Sequence, residues 1–373
     1  MKVNLKMLSE SLGLSQTTVS RALNGYTDVA EATRRRVKEA AAAMGYQPDP
    51  LARRLATGRT DTIGMVFPFN ATEFGDHRFG EVVAGLTEGL AKHNMDLSII
   101  PTRPESELET YARIIDTRRV DAFIVAWTQV HDPRIAFLQQ RGFPFLAYGR
   151  TQTDQPYPWF DFDNEAGARM AVERLIGLGH RRVAIIHAPL TYNFAAQRFA
   201  GYLAALEAAG IARDDTLIVD ASLSRLAGYA AMNALLSRSD PPTAVLVDNN
   251  LAGVGALRAV GDLQLRLGKD ISLIVYDGVS PDIPLPCRVS WVEQATGERT
   301  GRKMAEQIVD VLNGKPVGRI HHLAKPRVVP GETDGPLDSA TAAPAAHSVM
   351  PVPRQPAPGP RPRTRKKVAD PLS

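Results

Sequence analysis

Cysteine is almost absent from this chain: Cys287 is the single one in 373 residues. No intrachain disulfide framework is therefore possible, and a reducing compartment is expected. Long hydrophobic runs are missing too. No stretch approaches the roughly 18 apolar residues of a membrane span, and the first residues lack the apolar core of a secretory signal. The expectation is a cytoplasmic protein with no membrane partner. Metal-ligand spacing is absent among the eight histidines. His321 and His322 are adjacent and would face opposite sides of a strand, so a zinc site is not expected. There is no G-x-S-x-G, no P-loop and no G-x-G-x-x-G after a strand. With no recognisable catalytic set, the chain reads as a non-enzyme with no catalytic residue, metal or cofactor.

What is present is an ordinary soluble composition, 44% hydrophobic and 23% charged, long enough for two or three domains with a sizeable core. The net charge of +4 is small but unevenly spread. Residues 1–60 hold ten Lys/Arg against five Asp/Glu, whereas 61–331 hold twenty-eight against thirty-one. A basic N-terminal segment on a mildly acidic body points to a polyanionic partner at one end.

Residues 1–47 read as three short helices and 48–61 as a linker containing a brief one. From Thr62 to about Val329, short apolar runs alternate with amphipathic segments. The strand candidates are 62–67, 97–100, 121–127, 143–148, 182–188, 216–220, 243–247 and 271–276. The helical segments include 78–92, 106–117, 164–178, 195–209 and 250–261. This βαβ alternation implies parallel sheets covered by helices on both faces, and the strand number suits two similar units. The expected division puts 62–161 with 292–319 in one subdomain and 162–291 with 320–331 in the other. The Pro/Ala-rich stretch 332–373 cannot bury a core and is expected to be disordered. Its basic cluster (Arg361, Arg363, Arg365, Lys366, Lys367) is expected to be a solvated tail, with a weak contribution to DNA affinity as the alternative.

The most informative stretch is 5–23, LKMLSESLGLSQTTVSRAL. Leu5, Leu8 and Leu12 give a first helix one apolar face. Gly13 can end it in the left-handed conformation, and Ser15 can cap a second helix. There Val19 and Leu23 point inward, leaving Gln16, Thr17, Thr18, Ser20 and Arg21 outward. Their amide, hydroxyl and guanidinium groups suit base edges and phosphates. This is a helix-turn-helix layout; with Ser15 and Asn24 at its ends, the second helix is the expected DNA-contacting surface. In the third helix Val37, Ala40, Ala41 and Met44 face inward, and Arg34, Arg35 and Arg36 either touch phosphates or are solvated. In 49–59, DPLARRLATGR, Asp49 caps and Pro50 opens a helix whose apolar strip is Ala52, Leu55 and Ala56. A helix this short is marginal alone and needs a partner chain and DNA to fold against.

With these motifs in hand, the chain resembles the lactose-repressor/galactose-repressor family from residue 4 to about 331. The resemblance rests on SQTTVSRALNG (15–25), TRRRV (33–37), MGYQPDPLARRLATGRT (44–60), QRFAGYLAAL (197–206) and LIVYDG (273–278). It implies a homodimeric transcription regulator, usually a repressor, with a helix-turn-helix head and an α/β core of two doubly wound subdomains like periplasmic sugar-binding proteins. By motif match Gln16, Thr17 and Arg21 read the major groove, while Leu55, with Ala52 beside it, wedges into the minor groove. Ala30 departs from the family, which often has a Ser capping the third helix.

Open α/β sheets bind ligands beyond the carboxyl ends of their strands. Those positions give Phe69 and Asn70, then Trp127, then Tyr192, Asn193, Phe194 and Arg198, then Asp248 and Asn249, then Asp277. Aromatic faces stack on a pyranose, while carboxylate, amide and guanidinium groups bind its hydroxyls. The set suits a sugar, with a lean toward a glucoside or disaccharide. The alternatives are core packing for Trp127 and Phe194 and helix capping for Asp248 and Asn249. For Arg198 and Asp277 the resemblance itself implies effector contact. Residues 157–167 read as a crossover between subdomains, although Asp161 or Phe160 can line the cleft. Three rival functions remain open: a corepressor-type regulator sensing a purine or phosphorylated metabolite, a plain sugar-binding protein, and an α/β enzyme carrying a DNA-binding head.

Overall fold

The structure, a computed structural model, describes residues 3–24, 26, 28–46, 58–68, 77–221 and 223–337. The head consists of α1 (Leu5–Leu12), α2 (Gln16–Leu23) and α3 (Glu31–Met44). Gly13 closes α1 with a φ of 62°, a conformation costly for a residue with a Cβ. Ser15 caps α2, its Oγ accepting from the Thr18 amide at 3.0 Å. Ala30 precedes α3 and makes no side-chain cap bond. Leu8, Leu12, Val19, Ala22, Val37 and Ala41 form the buried core. Ala22 lies deeper than Leu23, which is only partly buried.

The α/β part runs β1 (Thr62–Pro68), α4 (His77–Ala91), β2 (Asp96–Thr102), α5 (Glu107–Asp116), β3 (Ala122–Val125), α6 (Pro133–Gln140), β4 (Phe145–Tyr148) and β5 (Trp159–Phe162). It continues with α7 (Asn164–Gly177), β6 (Val183–His187), α8 (Asn193–Ala208), β7 (Ile218–Asp220), α9 (Arg225–Leu236), β8 (Ala244–Val247), α10 (Asn250–Asp262) and β9 (Ser272–Tyr276). It ends with β10 (Ser290–Glu293), α11 (Gly297–Leu312), β11 (His321–Ala324) and β12 (Arg327–Val329).

Among the described residues the strands form two six-stranded sheets, ordered β11-β5-β4-β3-β1-β2 and β12-β10-β9-β8-β6-β7. Every pair is parallel except β10 with the edge strand β12. The central strands β3, β6, β8 and β9 are buried along their whole length, as expected when helices cover both faces. Each sheet carries one apolar cluster per face: Ile63, Leu86, Ile124 and Ile308 against Tyr111, Phe123 and Leu138 in the first lobe, and Val245, Met232 and Val260 against Leu246, Ile274 and Tyr202 in the second.

The chain passes between lobes three times, and the sequence-based division needs correction at two of them. The return to the first lobe falls between β10 and α11, after Glu293, because Ser290–Val292 pairs with Ile274–Tyr276 in the second sheet. Strand 321–324, expected in the second subdomain, instead pairs with Trp159–Phe162 in the first sheet. The rings of His321 and His322 stack on Trp159 and Phe160 there, at 5.4 and 5.1 Å.

The tail also differs from expectation near its start. Thr333 is buried, donating its hydroxyl to the Leu273 carbonyl at 2.7 Å and accepting from the Ser290 amide at 2.8 Å. Asp334 is buried beside Arg174, and the Leu337 amide bonds the Leu178 carbonyl. Residues 332–337 are thus packed onto the second lobe rather than disordered. The rest of the tail, with its basic cluster, lies outside the described residues.

Candidate ligand cleft and nucleic-acid interface

The carboxyl ends of both sheets face a cleft between the lobes, where the strand-end rule places ligands. A cavity of about 140 Å³ is lined by Trp127, Tyr148, Asp161, Phe162, Asn164, Phe194, Arg198, Asn249 and Gln294, among others. A wider cavity of about 670 Å³, bordered by Arg78, Glu81, Asp277 and Trp291, meets it at Asn250, which lines both. The larger volume lies within the range of about 300–1,000 Å³ usual for small-molecule sites.

Arg198 is the hub and is only 5% exposed. Its Nε donates to Asn164 Oδ1 at 2.9 Å, Nη1 to the Asp248 carbonyl, and Nη2 lies 3.5 Å from Asp277 Oδ2. The guanidinium is packed over the Tyr276 ring at 3.5 Å and against Phe194 at 4.9 Å. In the orientation that satisfies both ends of its amide, Gln294 accepts from Arg198 Nη2 at 3.0 Å and donates to Asp277 Oδ1 at 3.2 Å. A buried cation is tolerable only with such complete pairing. Burial raises the Asp161 carboxyl pKa, and Arg150 opposes the shift through an Nε–Oδ2 contact of 2.7 Å. Burial also raises that of Asp248, with Arg198 opposing.

Two cleft residues carry backbone strain. Trp127 has φ 51° and Asp277 φ 65°, a conformation disfavoured for side chains with a Cβ and most unusual for a bulky one. Such outliers cluster at ligand sites. The Trp127 carbonyl is pinned by Arg134 Nη2 at 2.9 Å, and Arg134 is itself buried against Asp132 and Glu107. Gly149 supplies the last piece of floor: with φ 114°, a Cβ here would sit 2.2 Å from Thr128 Oγ1.

Of the residues expected in the cleft, Trp127, Phe194, Arg198 and Asn249 line the smaller cavity, and Asp277 reaches Arg198 from the wider one. Asn249 also caps α10, its Oδ1 accepting from the Ala252 amide at 2.8 Å, so the capping alternative holds as well. Tyr192 stands behind, stacked on Phe194 at 5.7 Å. Asn193 is buried and gives its backbone N–H to the Thr128 carbonyl across the cleft. Phe69 and Asn70 lie outside the described residues. Phe160 is core, whereas Asp161 lines the cavity. Missed in the sequence were Tyr148, Asn164, Gln294 and Arg78. Tyr148 ends a strand that had been recognised, so the strand-end rule would have found it; Gln294 follows β10, too short and polar to be read as a strand.

On the head, Gln16, Thr17 and Arg21 share the exposed side of α2, with Thr18, Ser20 and Asn24 partly exposed. Ser15 and Thr18 are hydrogen-bonded to each other through their hydroxyls at 2.8 Å. The arginines of α3 are mostly structural: Arg34 Nη2 donates to the Tyr26 and Val29 carbonyls, and Arg36 to that of Leu12 at 2.7 Å. Ala52 and Leu55 lie outside the described residues. Among those described, no helix is long and apolar enough to cross a membrane.

Residues 60–329 match the family described as periplasmic binding proteins and sugar binding domain of LacI family, and residues 10–49 match the bacterial regulatory proteins of the lacI family. The chain is 40% identical to the HTH-type transcriptional regulator RafR of Escherichia coli, over 89% of this chain and 98% of that one. It is 40% identical to the HTH-type transcriptional regulator AglR of Rhizobium meliloti, over 83% and 89%. A solved complex of the transcriptional regulator CelR with cellobiose superposes with a TM-score of 0.68 at 29% identity, covering 89% of this chain and 100% of that one. These relatives are DNA-binding regulators rather than enzymes. A helix-turn-helix head on a two-lobed α/β core, matched over residues 10–49 and 60–329, makes this chain a member of the LacI family of DNA-binding transcriptional regulators.

Proposed function

We propose that the chain is a cytoplasmic repressor whose operator affinity is set by an uncharged sugar, a glucoside or disaccharide, held in the cleft between its lobes. The observation that carries this reading is the charge balance of the cleft. Arg198 is matched by Asp277, Arg150 by Asp161, and Arg78 by Glu81 and Asp277. Arg288 and His77, which also border the wider cavity, face Glu332 and Glu81. The remaining lining of the smaller cavity is uncharged, mainly aromatic and amide side chains from Trp127, Phe194, Asn164, Asn249 and Gln294 with Thr128, Leu223 and Leu251. A phosphorylated or otherwise anionic effector needs cations left over for it, and among the described residues of the cleft the pairing leaves no such excess. A polyol needs paired donors and acceptors beside an aromatic face, which this lining offers. The cellobiose complex of CelR supports the same class.

In this reading Arg198, Asp277 and Asn249 bind hydroxyls, and Trp127 and Phe194 receive a ring face, with Tyr192 and Asn193 backing them; Phe69 and Asn70 are further candidates for ligand contact. Two copies act as a homodimer, each head docking α2 in the major groove of one half-site about one helical turn from the other. Gln16, Thr17 and Arg21 read bases; Ser20, Thr18 and Asn24 flank them; Ala52 and Leu55 enter the minor groove. Effector binding changes the closure of the lobes and so the linkers, a coupling typically worth about 1–3 kcal/mol.

A thermal-shift screen tests this. Neutral mono- and disaccharides, sugar phosphates and purines are compared. A neutral sugar at about 100 times its Kd should add about 2.7 kcal/mol. Stabilisation by purines or sugar phosphates alone would overturn the reading.

A further inference from the structure

We propose that Asp28 is a positioning residue for base readout: it grips one edge of the Arg21 guanidinium so that the other end of the fork faces a guanine. The proposal rests on the reading of α2 as the recognition helix. Arg21 Nε donates to Asp28 Oδ1 at 3.3 Å, and Nη2 pairs with Asp28 Oδ2. These two parallel contacts occupy the Nε–Nη2 edge of the planar group. The Nη1–Nη2 end is a separate pair of donors, and that pair matches guanine O6 and N7. A third contact restrains the plane, because the guanidinium carbon lies 5.0 Å from the centroid of the Tyr26 ring. A carboxylate on one edge and a ring on one face leave the end of the fork pointing outward.

Among the described residues, the Asp28 side chain makes no other polar contact. It is not the cap of α3, since Ala30 occupies that position. Its place is also electrostatically unfavourable for a plain surface residue of a DNA-binding head, where phosphates repel carboxylates. The described residues beside it, Tyr26 and Val29, are bonded into the head. Arg34 Nη2 donates to the carbonyls of Tyr26 at 2.9 Å and Val29 at 3.1 Å, Arg34 Nη1 pairs with Glu31 at 2.6 Å, and Val29 is buried in the head core. An unrestrained arginine can rotate to find substitute partners on a wrong base. One gripped on two sides cannot, so Asp28 contributes discrimination more than affinity.

The test is a binding selection from duplexes carrying a randomised palindrome, using the full chain as wild type, Arg21→Ala, Asp28→Asn and Asp28→Glu. Asparagine keeps the shape of aspartate but turns an amide donor toward the guanidinium. Arg21→Ala should erase a guanine preference at one position of each half-site. Asp28→Asn should weaken the preference at that same position about fivefold to tenfold and leave other positions alone. Affinity for a mixed-sequence duplex should hold or rise, since one negative charge is gone. Asp28→Glu, which keeps the carboxylate, should recover part of the preference. An unchanged guanine preference in Asp28→Asn overturns the proposal. So does a loss spread evenly over all positions with a lower head melting temperature, which marks Asp28 as a folding residue. If Arg21→Ala alters no position, the recognition-helix reading itself fails, a pattern distinct from either of the others.

Discussion

Gln16, Thr17 and Arg21 share the exposed side of one eight-residue helix, whereas Arg198, Asn164, Asp277 and Gln294 meet from four separate elements of the second lobe and its crossovers. In the first set Gln16 and Thr17 are exposed, and Arg21 is tied only to near neighbours in the head, Asp28 and Tyr26. The second is largely desolvated and has exchanged water for its own members. Exposed polar groups act nearly independently because water screens each from the next. Buried networks act as a unit because removing one member strands the others. The head is therefore expected to respond to substitution locally, and the cleft cooperatively.

The largest expected effect tests the cooperative half. Arg198→Ala should cost about 3–5 kcal/mol of core stability, because Asp277 and the Asp248 carbonyl lose a buried cationic partner. It should also remove the sugar-dependent thermal shift, while sequence-selective DNA binding persists at temperatures where the core stays folded. Asp277→Asn should cost less and likewise remove the shift. The double variant should fall short of the sum of the two by more than about 0.5 kcal/mol, the mark of residues in one network. Denaturant melts of the four proteins read this directly. Additive losses would break the comparison, since they would make the cleft a set of independent contacts like the head.

A smaller effect tests the other half. Ser15 was expected among the DNA contacts, yet its Oγ is committed to the Thr18 amide and hydroxyl. Ser15→Ala should lower head stability by about 1 kcal/mol and leave the selected base preferences and the core melt unchanged. Altered base preference with an unchanged head melt would make Ser15 a reader after all, and the surface of α2 less separable than its exposure implies.

The same contrast explains what the sequence alone could show. The head was readable because its logic is local. Gly13, Ser15 and the Val19 position act within a few residues of one another, and turn, cap and inward face follow from spacing. The βαβ alternation was readable for the same reason, as were Trp127, Phe194, Arg198 and Asn249, each just past a recognisable strand. Gln294 and Asn164 were not, because the strands that deliver them, SWVE and WFDF, are short, and WFDF carries Asp161 in its middle. Their strand character comes from neighbours far away in the chain, β9 beside one and β4 with β11 beside the other. The packed segment 332–337 is illegible for a similar reason: its composition is that of a tail, and its partners, among them Leu273, Ser290, Arg174 and Leu178, lie far away in the chain. The Asp28 grip on Arg21 spans seven residues and a loop, too far for periodicity to register.

The smallest expected effect separates the two regions by pH. His180 is buried at the edge of the second lobe, with Nδ1 3.0 Å from Thr243 Oγ1 and Nε2 3.0 Å from both Ser272 Oγ and the Gly335 carbonyl. A carbonyl only accepts, so Nε2 carries the proton of the neutral ring and Nδ1 accepts from the Thr243 hydroxyl. Burial lowers the His180 pKa below its usual 6.5, opposed by the Gly335 carbonyl and by Asp334, which is itself paired with Arg174. Below about 6.5 the unfolded chain binds a proton that the folded lobe resists. Stability there rises with pH: it is fully present above the unfolded value and is lost as the pH falls toward the lowered folded one. The core melting temperature should therefore decline between about pH 7.5 and 5.5, with His180→Gln flattening the decline. Residues 1–60 contain no histidine, so the head should show no matching slope over that interval. A decline that persists in His180→Gln would assign it to another core group such as His322, whose pKa burial also lowers, and a matching slope in the head would show that the two regions do not titrate apart.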